Sequence, residues 1–159
     1  METRANWTER ERSIAAAHLF DGEGCVSITK PVPSYPYHNM YCIVGMTHQF
    51  YPRWFKELFG GSVTVKAPHG TCGRVWEWRI ASAGAARFLK SIAPFVIVKR
   101  PQIGVAIRFH ATQKREWPLS ATTIAERDGL YWEMRRLNGP GVQRLSEGTP
   151  EMGEAIVRS

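Results

Sequence analysis

The residues with the clearest chemical potential lie in the run Ala16-Ala17-His18-Leu19-Phe20-Asp21-Gly22-Glu23-Gly24-Cys25-Val26. An alanine-rich segment of helical character passes through Asp-Gly-Glu-Gly into alternating, strand-like residues. Glu23 therefore sits where a helix gives way to a strand, with a glycine on each side. Glycine accepts the left-handed backbone that ends a helix and lets other backbone approach closely. A carboxylate on such a junction suits metal-assisted chemistry, because hard cations such as Mg²⁺ take carboxylate, carbonyl and water oxygens. The Gly22 carbonyl is a second oxygen of that kind. One carboxylate is a poor site alone. The small side chains of Ala16 and Ala17 suit close packing of a second helix. A two-fold axis beside this helix would bring two copies of Glu23 together.

The charge distribution suggests what such a site would act on. The 159 residues carry a formal charge of +7, from 21 Lys+Arg against 14 Asp+Glu. Between Lys30 and Arg115 stand thirteen bases and only two acids, Glu57 and Glu77, while the two flanks together are net acidic. A positive field concentrated in the middle favours a polyanionic partner such as nucleic acid. Cys25, Cys42 and Cys72 are widely spaced and show no zinc-type spacing, so reduced thiols in a cytosolic protein are expected. No apolar run approaches a membrane span and the N-terminus is not signal-like, which predicts an intracellular, non-secreted protein with no membrane partner.

The elements that must position Glu23 follow from periodicity and turn chemistry. Thr8-x-x-Glu11 is a capping box for a helix expected to run to Phe20. Strand-like residues follow at 26–32 and 41–47, separated by Pro31, Pro33 and Pro36. Pro52 fits the first turn of a short helix through Trp54, Phe55 and Leu58, stopped by Gly60-Gly61. Residues 62–66 and 74–80 alternate as a second hairpin across a turn-rich link. Ser82 is expected to cap a helix that Pro94 ends, and Pro101 to open another through His110. Thr123-x-x-Glu126 reads as a second capping box, for a helix stopping at Asn138-Gly139-Pro140.

The order predicts one α+β domain over residues 8–138, with a flexible tail at 139–159. It is an αββαββα core with a saddle-shaped antiparallel sheet, helices on one face and extra C-terminal helices. Trp76 and Trp78 share a parity and are expected to pack under the sheet. The hairpins carry Lys30, Lys66, Arg74 and Arg79, which an antiparallel ribbon can present to a DNA major groove. Arg74 leads that group as a reader of DNA.

The run ending in Asp-Gly-Glu-Gly resembles the LAGLIDADG motif of homing endonucleases, and the αββαββα order is that family's core. The resemblance covers roughly residues 14–110. It implies that Glu23 binds the catalytic divalent metal, with the Gly22 carbonyl close by. It implies that Ala16, Ala17, Phe20 and Asp21 lie at the paired helix ends of a homodimer, Asp21 in a hydrogen-bonding role. The segment Ile92-Ala93-Pro94-Phe95-Val96-Ile97-Val98-Lys99-Arg100-Pro101-Gln102 looks like the family stretch that delivers a lysine to the active site. Lys99 matches that lysine and Gln102 a glutamine three residues on, while Arg100 reads as a phosphate contact. His48 stands where the family places a polar residue that positions water. His18 departs from the pattern, since that position is usually glycine, and its bulk bears on the geometry of the helix pair.

A single motif implies a homodimer. The resemblance then implies Mg²⁺-dependent hydrolysis of both strands of a roughly palindromic duplex across the minor groove, leaving short 3′ overhangs, in the context of a mobile genetic element. The alternative within the same fold is a protein that binds without cutting, either an intron RNA maturase or a transcriptional regulator.

Overall fold

A computed structural model describes residues 6–31, 37–68, 73–113 and 118–146, with backbone only for 140–146. The proline-rich link at 32–36, the turn at 69–72 with Cys72, and the tail from 147 onward lie outside the described residues.

Helix α1 spans Glu9–Glu23 and begins on the expected capping box. The Thr8 N–H donates to Glu11 Oε2 at 2.7 Å, and the Glu11 N–H donates to Thr8 Oγ1 at 3.3 Å. The helix runs three residues past the expected stop, so Asp21, Gly22 and Glu23 form its last turn. Gly24, which ends it, has φ −90° and ψ 162°. This is extended backbone rather than the left-handed stop expected from sequence. Its requirement for glycine is steric instead: a Cβ there would meet the Phe20 ring at 2.2 Å and the Phe20 carbonyl oxygen at 2.6 Å.

Strand β1 (Gly24–Thr29) pairs antiparallel with β2 (Asn39–Met46). Helix α2 (Phe50–Phe59) leads through Gly60 and Gly61, both at positive φ, into β3 (Ser62–Lys66) and β4 (Val75–Ala81). The four strands form one antiparallel sheet in the order β1-β2-β4-β3. Register fixes the faces, because directly paired residues share one. Val26 faces Cys42 and Ile28 faces Met40, while Val44 lies opposite Trp78 and Cys42 opposite Ile80. That face is the core.

Trp78, Phe20, Phe55 and Phe88 are fully buried, and with Phe59 they stack edge-on or tilted beneath the sheet. Edge-to-face aromatic contacts add about 0.5–1.5 kcal/mol each beyond simple burial. Trp78 also donates its indole N–H to the Gly60 carbonyl at 2.7 Å, which satisfies its polar atom inside the core.

Helix α3 (Ser82–Ile92) covers the core and passes through a 3₁₀ turn at Ala93–Phe95 to α4 (Arg100–Ala111). Ser82 is not its cap. Ala81 holds that position with no side-chain bond, and Ser82 itself takes φ 52°. Helix α5 (Ala121–Ser146) is capped by Ser120, whose Oγ accepts from the Thr123 N–H at 3.1 Å, so Thr123 lies inside the first turn rather than at the cap. Gly139 at φ 72° and ψ 174° breaks α5 at the expected stop, but helical backbone resumes to Ser146.

Helix α5 is fastened to the rest by polar ties. Asn138 Nδ2 donates to the Val26 carbonyl at 2.9 Å. Arg127, 6% exposed, donates to Thr112 Oγ1 and to the Thr112 carbonyl at 2.9 and 2.8 Å, closing the C-terminal end of α4.

Candidate active site and nucleic-acid face

The end of α1 and the start of α4 are joined by one carboxylate. Asp21 Oδ2 accepts from the backbone N–H groups of Ile97 and Val98 at 2.7 and 3.2 Å, and Oδ1 accepts from that of Lys99 at 3.0 Å. Lys99 holds the N-cap position of α4, where orphan N–H donors and the positive end of the helix favour an anion. Burial raises the Asp21 carboxyl, but the three backbone donors and the Lys99 charge outweigh it and hold it below the usual carboxylate range.

The Lys99 ammonium turns back and donates to the Asp21 carbonyl. The last turn of α1 has no basic residue of its own, so Lys99 supplies the cation that its C-terminal carbonyls favour. The pair thus fixes the lysine two residues before Glu23. Glu23 and Gly22 are exposed. Exposed Glu23 and Gly22 thus lie in the helix turn that Lys99 contacts.

The other sequence-derived candidates fall in different places. His48 is exposed just beyond β2, and its Nδ1 accepts from the Phe50 N–H at 3.2 Å, where it serves the start of α2. Since Gly24 pairs with Val44, the end of β2 and the end of α1 lie at the same end of the sheet. Gln102 is turned toward α5, donating Nε2 to the Leu137 carbonyl at 3.3 Å, with Oε1 buried and unbonded. Arg100 is exposed and donates to the Val96 carbonyl at 3.1 Å.

Ala16, Ala17 and Phe20 do not form an interface for a partner. Each is 0% exposed within the chain's own core, because helical periodicity turns them toward the sheet and α3. Asp21 is only partly exposed and already engaged with residues 97–99. The outward face of α1 instead carries Ile14, Ala15, His18, Leu19 and Gly22, and His18 is exposed on it. Beside it, Ile97 and Val98 are 70% and 69% exposed, high values for aliphatic side chains.

The sheet face opposite the core carries Cys25, Ser27, Thr29, Tyr41, Ile43, Ser62, Thr64, Lys66, Glu77 and Arg79. The Arg79 guanidinium lies 3.9 Å from the centroid of the Tyr41 ring and, among the described residues, is paired with no carboxylate. Burial raises the Tyr41 hydroxyl, against the neighbouring Arg79 charge. Lys66 forms an ion pair with Glu77. Arg74 is exposed just before β4. Lys30 leaves this group: its ammonium bonds Asp128 of α5 at 3.0 Å, on the helical side. Arg79, ranked behind Arg74 from sequence, is held against the Tyr41 ring. Its stacking partner could not be found without the β2–β4 register. Trp76 and Trp78 share the core face as expected, Trp76 beneath the Arg53 guanidinium at 5.3 Å.

Among the described residues no group of three or more His, Cys, Asp or Glu could hold a metal ion, so one chain offers Glu23 as a single carboxylate. None of the described helices is long and apolar enough to cross a membrane.

The architecture matches that of known DNA-cleaving proteins. The chain superposes on the archaeal intron-encoded homing endonuclease I-Vdi141I complexed with DNA at a TM-score of 0.70, with 16% identity over 84% of this chain and 88% of that one. The homing endonuclease I-CvuI in complex with its target gives 0.68, with 15% identity over 81% and 83%. The LAGLIDADG homing endonuclease I-GzeII in complex with its DNA target gives 0.61 at 12% identity, covering 92% of this chain but 54% of that one. No family model and no curated protein sequence matches the chain. The fold is the LAGLIDADG homing endonuclease fold.

Proposed function

We propose that the chain is a single-motif LAGLIDADG homing endonuclease, a homodimer that hydrolyses both strands of a specific DNA duplex with a divalent cation. The observation that carries this reading is the Asp21 tie, which sets the Lys99 ammonium against the last turn of α1 beside exposed Glu23. A fold match alone would not distinguish an enzyme from a binding protein.

The residues fit a hard cation. Glu23 offers a carboxylate, Gly22 a carbonyl, and both stand at the helix end where backbone carbonyls concentrate negative potential. When bound, a divalent cation activates water and stabilises the leaving oxygen of a phosphodiester. Glu23 and the Gly22 carbonyl would hold it, and Lys99 would offset the charge that builds on the phosphate. Asp21 acts through Lys99 as a positioning residue. His48 serves the start of α2, and Gln102 ties the first turn of α4 to α5.

A second copy supplies the second carboxylate. Pairing on the outward face of α1, extended by Ile97 and Val98, removes these aliphatic side chains from water and accommodates His18. The free sheet face takes the duplex. Arg79 on Tyr41 is suited to a bidentate contact with guanine, and Lys66, Arg74 and Arg100 to phosphates.

The test is digestion of a randomised duplex library with Mg²⁺ by wild type and Glu23→Gln, with the product ends sequenced, alongside sedimentation of the free protein. Defined cuts that vanish in Glu23→Gln, from a dimer, support the proposal. Retention of DNA or RNA with no cuts would replace it with the non-cleaving reading, a maturase or regulator.

A further inference from the structure

On the helical side of the molecule, away from the sheet face, α1, the end of α2 and α3 enclose a half-open cleft of about 430 Å³. It is lined by Arg12 and Ser13 from α1 and by Arg87 and Ser91 from α3, with Phe59 partly exposed beside them and Phe88 buried beneath. Pockets of this size accept small organic ligands.

The polar groups here are uncommitted. Among the described residues neither arginine side chain is held in an ion pair or hydrogen bond, though Glu9 also lines the cleft. Ser13, only 8% exposed, likewise has no side-chain hydrogen bond among the described residues. Ser91 donates its hydroxyl proton to the Phe88 carbonyl at 2.7 Å and so presents lone pairs to the cleft. Two arginines on facing walls match a phosphate, which guanidinium groups bind in bidentate fashion. Of the two rings only Phe59 is partly exposed, and it is the aromatic surface that a planar ring could meet. Glu9 and Ser91 can accept from hydroxyl or amino donors on the body of the ligand.

From this arrangement we infer a nucleotide-binding site, recognising a phosphate ester joined to a planar base, either as a free nucleotide or as one unit of a single strand. The site is independent of the proposed endonuclease function. At 3.6 residues per turn, Glu9, Arg12 and Ser13 fall on the same side of α1 as Ala16 and Phe20, opposite Glu11, His18 and Gly22. Pairing through the outward face of α1 leaves the cleft open, and duplex on the sheet lies on the other side of the molecule.

The experiment is calorimetric titration of the full-length protein with AMP, GMP, CMP, UMP, inorganic phosphate and a short single-stranded RNA. Each titration is run with and without excess duplex DNA, and repeated with Arg12→Ala, Arg87→Ala and Arg87→Lys. Saturable binding below about 1 mM is expected. It should weaken about tenfold or more in each alanine variant, recover in part in Arg87→Lys, and be unaffected by duplex. Binding of mononucleotides identifies a free nucleotide as the ligand, and binding of the strand alone identifies a nucleotide unit within RNA.

Equal binding of inorganic phosphate, binding indifferent to both arginines, competition by duplex, or no saturable binding each overturns the inference. DNA cleavage by the Arg87→Ala protein, measured in parallel, reports on the endonuclease proposal separately.

Discussion

Replacing Asp21 with alanine removes the acceptor for three backbone donors at once, those of Ile97, Val98 and Lys99. A net intramolecular hydrogen bond is worth about 0.5–1.5 kcal/mol, with charged acceptors toward the upper end. The bonds to Ile97 and Val98 are exposed, so water takes over part of their role. A loss of about 2 kcal/mol follows, against about 1 kcal/mol for Asp21→Asn, which keeps one acceptor oxygen. For a chain of this size, 2 kcal/mol corresponds to a fall in Tm of about 4–8 °C.

The assay is urea unfolding at fixed protein concentration, since association with a second copy would make stability concentration-dependent. Its pH dependence carries a sign. The folded carboxyl is depressed, so its contribution is complete above the unfolded value near 3.9 and is lost as pH falls through the folded value. Wild type and Asp21→Asn should therefore converge in acid. A difference below about 0.5 kcal/mol at neutral pH, or a gap that persists unchanged in acid, would refute the assignment of Asp21 as the clamp on residues 97–99.

Further expectations follow from the same geometry. Gly24→Ala should destabilise by about 3 kcal/mol or more, because the new Cβ meets backbone as well as the Phe20 ring; equilibrium unfolding checks this. Lys99→Met should lower the cleavage rate about a hundredfold or more while duplex affinity, read by fluorescence anisotropy, changes little. His38 has a side chain with no solvent exposure, with Nε2 3.0 Å from Asp128. Burial pushes its imidazole down, Asp128 raises it, and Lys30 and Arg127 lower it further. The unfolded chain then binds the extra proton, so stability should decline as pH falls below about 6.5, and His38→Gln should flatten that decline in a pH series of unfolding curves.

The layout was legible because local signals agreed with it. The Thr8–Glu11 box, the Gly60-Gly61 stop and the alternation at 62–66 each act over a few residues, and each appears as expected. The Ser82 and Thr123 assignments failed for a local reason too. A hydroxyl one or a few positions inside the helix cannot serve the same amides as a true cap. At the site, Glu23 was readable as a carboxylate on a junction and Lys99 by resemblance. The role of Asp21 as a bond across 76 residues was not, because its partners are backbone amides with no sequence signature. Ala16, Ala17 and Phe20 were misassigned because small or apolar residues serve a core and an interface equally well. Only the rotation of α1 about its axis separates the two. Lys30 looked free because its partner Asp128 arrives on a helix 98 residues away.

The strand order β1-β2-β4-β3 has a consequence for symmetry. It divides the chain into two αββ halves, each sending a helix through glycine into an outer strand, related by a pseudo-two-fold between β2 and β4. Because β1 and β3 run in opposite directions, the two entry points lie diagonally across the sheet. The first carries Glu23. At the second, Gly60 and Gly61 stand at positive φ, the Gly60 carbonyl is taken by the Trp78 indole, and the residue before the first glycine is Phe59 rather than a carboxylate. If the proposed function holds, only the first diagonal corner carries the metal-binding carboxylate, so each copy would act on one strand of a duplex.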